Sequence, residues 1–366
     1  MAFYISLSWA SAFVQAQTPA PAEQLKYAVI VTRHGVRAPT WTTERLNQYS
    51  AEPWPDWGVA PGELTQHGRQ LMQLMGAYYR GYFAAAKLLD KSGCDSLLRV
   101  HFIADNGQRT RETAKALAQG MFPGCPAGIH AKPEDETDPL FNPLESGLAT
   151  ADSKLSLAAV RGRIGPSLDV IVDVNRPALD VLDNVLRGTG KPAKSIFDEP
   201  AALTSGKGGV AMEGPLRLAS TFTENFLLEY TNGMSGAQFG WGRLDRAKLI
   251  QIMALHTGYA DLMRRTPYLA RARGSNLLSH ILRSMEQAVE GKAKDGGLGT
   301  PENTVVIVSG HDTNISNLSG MLGLSWLLPG YQHDDVPPGG ALVFSLWRSS
   351  ASGRFSVRLQ FVAQTL

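Results

Sequence analysis

Three continuous apolar runs, rich in β-branched residues, constrain the fold of this chain more than any other feature. They are Tyr27–Thr32, Val100–Ala104 and Thr304–Ser309. Runs of this kind are typical of strands that are buried on both faces, as in a sheet covered by helices. We therefore expect an α/β fold in which the three runs lie in one sheet.

A polar cluster follows each of these runs directly. The clusters are Arg33-His34-Gly35-Val36-Arg37-Ala38-Pro39, Asp105-Asn106-Gly107-Gln108-Arg109-Thr110-Arg111 and Gly310-His311-Asp312-Thr313-Asn314. In open α/β sheets, ligands bind beyond the carboxyl ends of the strands. The three clusters are therefore predicted to form one shared site.

Helical periodicity fills the intervals between the strands. Five helices are predicted, over Leu64–Leu89, Arg111–Met121, Leu168–Leu186, Leu216–Tyr230 and Ser275–Val289. Strand signals fade in the middle of the chain, where Ser205–Val210 forms a Gly/Lys-rich connection. We expect an α/β catalytic domain formed by residues 24–135 and 245–366, and a helical insertion, residues 136–244, that covers the site.

Length and composition exclude several classes of protein. A chain of 366 residues suits one large domain with an insertion, or two domains, and 43% hydrophobic with 19% charged residues is ordinary for a soluble enzyme. The net charge of +2 gives no reason to expect a nucleic-acid partner, which calls for a clustered basic face. No segment after the first residues is apolar over the roughly 20 residues of a spanning helix.

The first residues resemble a secretion signal. Phe3–Val14 is apolar, and Val14-Gln15-Ala16 fits a cleavage site, although no basic residue precedes the apolar run. Residues 1–16 are therefore predicted to be a signal peptide, the alternative being a disordered tail. We expect a periplasmic or secreted protein with no membrane association after signal removal, and a monomer.

Two cysteines, Cys94 and Cys125, are present. In an exported protein an isolated pair favours a disulfide, whereas two buried thiols are the alternative if the chain is not exported. Closing a loop of about 31 residues would stabilise the fold by roughly 3–4 kcal/mol in the chain-entropy model.

His34 lies between two arginines at the end of a predicted strand. The field of Arg33 and Arg37 disfavours the imidazolium, so His34 is expected to stay neutral and nucleophilic below its usual pKa of about 6.5. Guanidinium groups bind phosphate oxygens bidentately and keep their proton. A nucleophilic histidine inside an anion clamp indicates phosphoryl transfer without a metal.

The pair His311-Asp312 follows the third run. His311 can donate a hydrogen bond to a phosphate, and a protonated Asp312 can donate a proton to the departing alkoxide. That role implies an acidic working pH. Either Arg109 or Arg111 can supply a third arginine, and helical spacing alone leaves both possible.

These residues together resemble the histidine acid phosphatases, the branch of the histidine phosphatase clan that includes bacterial phytases and glucose-1-phosphatases. The resemblance covers nearly the whole chain and includes Pro337-Pro338-Gly339-Gly340. It implies a helix-covered mixed sheet with an inserted, mainly helical domain. It also implies a phosphohistidine on His34, proton donation by Asp312, and a disulfide. The implied phosphate ligands are Arg33, Arg37, Arg109 (rather than Arg111) and His311, with no metal and no cofactor.

The resemblance also bears on the substrate, a small-molecule phosphate monoester. Four residues are expected in the substrate pocket: Thr40, Trp41, Thr221 and Glu224. Thr40 and Glu224 resemble the phytase side of the family. Trp41 stands where a bacterial phytase has a lysine that meets an outer phosphate. A phytase acting on myo-inositol hexakisphosphate is the leading prediction, and a glucose-1-phosphatase or broad-specificity acid phosphatase is the alternative.

Other classes fit less well. The mutase branch of the clan usually lacks the second arginine and the proline, and a non-catalytic phosphate-binding protein needs neither His34 nor Asp312. Gly188-Thr189-Gly190-Lys191 and Gly206-Lys207-Gly208-Gly209 lack the full P-loop spacing. The remaining six histidines show no clear metal-ligand spacing and are predicted to be structural or surface residues: His67, His101, His130, His256, His280 and His333.

Overall fold

The computed structural model describes residues 23–206 and 209–366 of the chain. The predicted signal peptide, residues 1–16, lies outside the described residues, so that prediction stays untested.

Five strands form the central sheet, in the spatial order β2–β5–β1–β6–β7. Strands β1 (Glu23–Arg33), β2 (Val100–Ala104) and β5 (Val305–Gly310) are the three predicted runs, and they lie side by side in parallel. Strand β6 (Ala341–Ser349) pairs antiparallel with β1, and β7 (Phe355–Val362) pairs antiparallel with β6. The mixed sheet is confirmed, while β6 and β7 carry no strand prediction.

Helices cover both faces of this sheet. On one face, α2 (Gln66–Ala85) and α3 (Gln108–Met121) share a core with the strands. On the other, α8 (Pro267–Glu290) and α9 (Asp312–Leu322) do the same. The apolar run of each central strand is therefore buried from both sides, which is why it shows no polar alternation.

A second, helical layer lies beside the sheet. Its helices are α1 (Thr43–Leu46), α4 (Ser153–Ile164), α5 (Asp169–Arg187), α6 (Pro215–Thr231) and α7 (Arg246–Met263). Strands β3 (Ala202–Gly206) and β4 (Gly209–Glu213) pair antiparallel in the segment in which strand signals fade. The predicted helices over 168–186 and 216–230 are confirmed as α5 and α6.

The packing of the helical layer crosses the predicted domain boundaries. Its core includes Tyr49 and Trp54 from before residue 136, and Ile252 from α7, after residue 244. Conversely, Leu140 and Phe141 pack with the sheet. The division at 136 and 244 therefore remains a prediction about domains, and the side chains that bury the layer come from a wider range.

The predicted disulfide is present. Cys94 and Cys125 are bonded, with their Cα atoms 5.7 Å apart. Cys94 lies between α2 and β2, and Cys125 follows α3, so the bond joins the segment before β2 to the segment after α3. Among residues 23–206 and 209–366, no helix combines the length and apolar character that crossing a membrane requires.

Candidate active site

Strand register brings the three polar clusters together. Arg33 of β1 is paired with Gly310 of β5, and Ala104 of β2 with Ser309. The backbone continues the pattern one residue further, because the His34 N–H donates to the Gly310 carbonyl at 2.9 Å. The predicted convergence at the carboxyl edge of the sheet is therefore present.

His34 is buried, with 2% of its surface exposed, and its ring is held in one tautomer. Its Nδ1 lies 2.8 Å from the carbonyl oxygen of Gly35. A carbonyl can only accept, so Nδ1 carries the proton and Nε2 keeps its lone pair. Burial lowers the pKa of His34 well below its usual value, and the charges of Arg33, Arg37 and Arg109 lower it further.

The backbone behind His34 is fixed by close packing. The Gly35 N–H donates to Thr113 Oγ1 of α3 at 2.9 Å, and the His34 carbonyl accepts from the Gly339 N–H at 3.1 Å. A Cβ on Gly35 would lie 2.7 Å from Met72 Cγ, so glycine is needed here for space. A Cβ on Gly68 of α2 would lie 2.2 Å from the Val36 carbonyl oxygen.

Arg33 is the most deeply buried cation of the site, with 1% of its surface exposed. Its Nη2 forms an ion pair with Glu224 Oε1 of α6, and its Nη1 donates to the Val336 carbonyl. Arg37 Nη2 lies 3.6 Å from the same Glu224 oxygen. One helical-layer carboxylate thus holds two arginines of the first cluster.

Arg109 and Arg111 point to different surroundings. After burial and the charges of Arg33 and Arg37, the charge of Arg109 also lowers the pKa of His34. The Arg111 guanidinium instead lies 3.6 Å from the exposed carboxylate of Glu134. The Nε atoms of Arg33 and Arg109 are buried without a hydrogen-bond partner among the described residues. Buried guanidinium donors of this kind suit a bound anion.

His311 is positioned by a carboxylate of the second cluster. Its Nε2 lies 2.7 Å from Asp105 Oδ2, and its ring meets that of His34 edge-on, with centroids 5.6 Å apart. The backbone N–H of His311 donates to Asn314 Oδ1 at 2.9 Å, at the N-terminus of α9. A helix N-terminus favours negative charge, so the location suits an anion as well.

Asp312, the first residue of α9, forms an ion pair with Arg264 Nη1. His256 Nε2 lies 3.8 Å from the same carboxylate oxygen. Burial alone would raise the pKa of Asp312, but the charges of Arg264, Arg33 and His256 outweigh it and hold the pKa well below its usual range. In this structure Asp312 is therefore a carboxylate.

Glu224 links the two ends of this network. Its Oε2 lies 3.5 Å from His256 Nε2, while its Oε1 contacts Arg33. Burial raises the pKa of Glu224, and the charges of Arg33, His256 and Arg37 lower it to a net value below the usual one. These contacts connect Arg33 through Glu224, His256 and Asp312 to Arg264, and burial lowers the pKa of His256 itself.

A cavity of about 190 Å³ opens beside this network. The residues that line it are Arg37, Thr40, Arg217, Ser220, Thr221, Glu224, Asn225, His256, Tyr259, Arg264 and Asp312. Three of the four predicted pocket residues are among them. The fourth, Trp41, packs against Tyr49 and Phe222 under the Arg45 guanidinium, which lies 3.6 Å from the ring centroid.

Other cavities are larger, with volumes from about 290 to about 470 Å³. One of about 320 Å³ shares Tyr259 and Arg264 with the first. Another, of about 470 Å³, is lined by Val36, Tyr230 and the last three residues and does not include the charged network. Burial of titratable groups next to a cavity is the usual mark of an active site, so we place the site at the smaller cavity.

Sequence reasoning does not single out four residues of this network. Asp105 stands directly after a strand, which is a usable signal. Arg217 on α6, His256 on α7 and Arg264 directly after α7 lie far along the chain from the three clusters. His256 is predicted as structural or surface, and its place beside Asp312 and Glu224 depends on tertiary packing. No cluster of three or more His, Cys, Asp or Glu side chains suited to a metal occurs among residues 23–206 and 209–366.

Comparison with known proteins identifies the family of this chain. The family model of the histidine phosphatase superfamily (branch 2) matches residues 24–165 and 189–362. The phytase AppA of Escherichia coli (strain K12) is 36% identical over 382 residues, covering 100% of this chain and 86% of that protein. A glucose-1-phosphatase of Providencia rettgeri is 26% identical over 345 residues, covering 93% of this chain and 81% of that protein.

Solved structures of bacterial phytases have a similar fold. A Hafnia alvei phytase in complex with myo-inositol hexakis sulphate is 37% identical, with a TM-score of 0.85 over 94% of this chain and 86% of the other. A phytase of Citrobacter braakii is 34% identical, with a TM-score of 0.85 over the same shares.

Proposed function

The chain belongs to branch 2 of the histidine phosphatase superfamily and is a phosphoric monoester hydrolase; from that premise we propose that it hydrolyses phosphate monoesters through a phosphohistidine on His34, without a metal. The observation that carries the proposal is the bare Nε2 of a buried His34 among Arg33, Arg37 and Arg109. A neutral nucleophile inside an anion clamp is what the first chemical step requires.

In the first half-reaction, His34 Nε2 attacks phosphorus and forms the N–P bond. The P–O ester bond breaks, its electron pair leaves with the ester oxygen, and Asp312 gives that oxygen a proton. Arg33, Arg37, Arg109 and His311 hold the other phosphate oxygens as charge shifts among them. Asp105 acts as a positioning residue for His311 through the 2.7 Å contact at Nε2.

In the second half-reaction, water attacks phosphorus and the N–P bond breaks. The electron pair returns to Nε2, and the Asp312 carboxylate takes the proton that the water loses. The same group thus serves as acid and then as base, as microscopic reversibility requires for the two halves of a displacement.

The ion pair with Arg264 bears on the first step, because Asp312 must be protonated to donate. A bound phosphate brings negative charge beside Arg33, one of the cations that lower the pKa of Asp312. Anion binding therefore raises the pKa of Asp312, and an acidic working pH follows from this requirement. Asp312 gains its proton in the substrate complex.

Myo-inositol hexakisphosphate is the substrate we propose. The phytase of Escherichia coli at 36% identity and the Hafnia alvei phytase complex with a hexakis sulphate support it. So does the cationic cavity wall of Arg37, Arg217 and Arg264. A glucose-1-phosphatase is the second candidate, supported by the Providencia rettgeri relative and by an aromatic residue at Trp41.

We also propose a periplasmic or secreted location, which the disulfide and the apolar first residues support.

The test of the function is the ratio of kcat/KM for inositol hexakisphosphate to that for glucose 1-phosphate, at acidic pH with EDTA present. A large ratio supports a phytase, and a small one supports the sugar-phosphate alternative. His34→Ala is the matched control for contaminating phosphatases. Phosphate-ligand binding without turnover of either ester would instead support a non-catalytic binding protein and overturn the proposal.

A further inference from the structure

One wall of the cavity is a single face of α6. Arg217, Thr221 and Glu224 stand at positions i, i+4 and i+7, so their side chains share that face, and all three line the cavity. Glu224 marks the end that contacts Arg33. Arg217 lies two turns away, about 10 Å along the axis at about 1.5 Å per residue.

Arg217 differs from the other two arginines of the cavity in its partners. Arg37 lies 3.6 Å from Glu224 and Arg264 is paired with Asp312, whereas Arg217 forms no ion pair with a carboxylate among the described residues. Its Nη1 donates to Thr221 Oγ1 at 2.5 Å. Its guanidinium carbon lies 5.8 Å from the centroid of the Tyr259 ring.

These contacts orient the side chain without neutralising its charge. The Thr221 hydroxyl accepts from the guanidinium and lies 3.4 Å from the Arg217 carbonyl oxygen, to which it donates. An arginine held by a hydroxyl keeps its remaining N–H groups for a planar or tetrahedral anion. The Arg217 side chain is half-buried, so fewer water molecules compete with an anion for its N–H groups.

A single phosphate at His34 accounts for Arg33, Arg37 and Arg109 but leaves Arg217 without a ligand. We propose that Arg217 binds a second phosphate group of the same substrate and so favours molecules that carry two or more phosphates. The inference rests on the proposed function for the position of the first phosphate. It adds a specificity-determining residue at the far end of the cavity.

The experiment compares Arg217→Met and Arg217→Lys with wild type on inositol hexakisphosphate and on p-nitrophenyl phosphate. For Arg217→Met, kcat/KM for the hexakisphosphate should fall about tenfold more than for the aryl monophosphate, the loss expected when one charge-assisted contact is removed. The change should appear mainly in KM, and lysine should restore part of it. Arg161→Met, which removes an exposed charge on α4 outside the cavity lining, is the matched control.

Equal losses on both substrates, or no loss on either, would overturn the role of Arg217 and leave the phosphatase proposal intact. The phosphatase proposal has its own readout, which is p-nitrophenyl phosphate turnover that His34→Ala abolishes. Should that turnover be absent, calorimetric binding of inositol hexakisphosphate to wild type and to Arg217→Met still decides. Weaker binding by the variant supports the subsite, and equal binding overturns it.

Discussion

The surroundings of His34 and Asp312 lower the pKa values of both side chains. The proposed chemistry needs His34 neutral and Asp312 protonated. For His34, burial and three arginines favour the neutral nucleophile directly. For Asp312, the ion pair with Arg264 opposes the protonated form until an anion arrives. In the proposed mechanism, the negative charge of the substrate therefore raises the pKa of Asp312 and allows it to donate a proton.

Asp312→Asn tests the proton donor by leaving group. An amide cannot protonate an alkoxide, so we expect kcat for an alkyl ester such as glycerol 2-phosphate to fall about 10²–10⁴-fold, the usual contribution of general acid catalysis. For p-nitrophenyl phosphate, whose leaving group needs no proton, the formation of the phosphoenzyme should change far less. Rapid-quench kinetics separates the two half-reactions. Equal losses in that first step on both esters would remove Asp312 from the donor role.

Arg264→Gln tests the ion pair through the pH profile. Removing the guanidinium takes away the largest of the charges that lower the pKa of Asp312, so that pKa rises and the carboxyl stays protonated to higher pH. Activity that requires the protonated acid should then persist to higher pH, and the basic limb of kcat/KM should move upward. Arg271→Gln, an exposed arginine on α8, is the control for lost charge. An unmoved limb, or one displaced to lower pH, would contradict this account.

At this scale the sequence predicts the residues that lie directly after strands. His34, Arg37, Arg109, His311 and Asp312 all belong to such clusters, and the structure brings them together. The partners that set their charge states come from helices in which an arginine or histidine has the same local pattern whether it faces solvent or a cavity. Only packing decides between these surroundings, so Arg264 and His256 could not be singled out.

Helices α2 and α3 together hold the backbone of Gly35 and Val36, directly after His34. Gly68 of α2 lies against the Val36 backbone, and Thr113 of α3 accepts from the Gly35 N–H. The two helices also approach each other closely, since a Cβ on Gly76 would lie 2.3 Å from the Leu117 carbonyl oxygen. Their separation therefore affects the position of Arg109, in the first turn of α3, relative to His34.

Gly76→Ala should separate these helices, because every close neighbour of the added Cβ is backbone. We expect a loss of about 1–3 kcal/mol in the free energy of unfolding, the range for overpacking. Gly81→Ala, on the same helix with no atom within 4 Å of the added Cβ, should instead stabilise by up to about 1 kcal/mol. Urea unfolding measures both. Equal effects of the two substitutions would show that helix approach does not limit stability here.

Elements were predictable where the hydrophobic pattern was strong. The three central strands and the helices α2, α3, α5 and α6 match their predicted ranges to within about four residues, whereas α8 begins at Pro267, well before the predicted start at Ser275. Strand β7 lies at the sheet edge, and its residues are exposed or half-buried throughout. Strands β3 and β4 pair only with each other, and neither they nor β7 carries a continuous apolar run. All three depend on pairing partners that local sequence does not reveal.

Across the whole molecule, the substrate cavity lies between the edge of the sheet and the helical layer. Glu224 and Arg264 belong to that layer, whereas Arg33 and Asp312 belong to the sheet and its helices. Two ion pairs therefore bind the layers across the site. The sequence predicted a helical cover, but the shared core with Tyr49 and Ile252 shows that its packing does not follow a contiguous segment.

The disulfide lies at the face of the sheet that α2 and α3 cover, where Cys125 packs against their core. Replacing Cys94 and Cys125 together by serine opens a loop with a sequence separation of 31 residues. The loss in stability should be about 3–4 kcal/mol in the chain-entropy model. Calorimetry measures that loss, and kcat well below the unfolding temperature should stay near wild type. A large fall in kcat with unchanged stability would mean that the bond shapes the site instead.

The central claim is a covalent phosphoryl group on Nε2 of His34, and trapping it is the most direct test. The enzyme is mixed with p-nitrophenyl phosphate in the presence of EDTA, quenched with alkali within a turnover, digested and analysed by mass spectrometry. The account predicts a base-stable, acid-labile phosphoryl group on the peptide that contains His34, and none in His34→Ala. Turnover at the wild-type rate with no phosphoenzyme, or with the phosphoryl group on another residue, would contradict it.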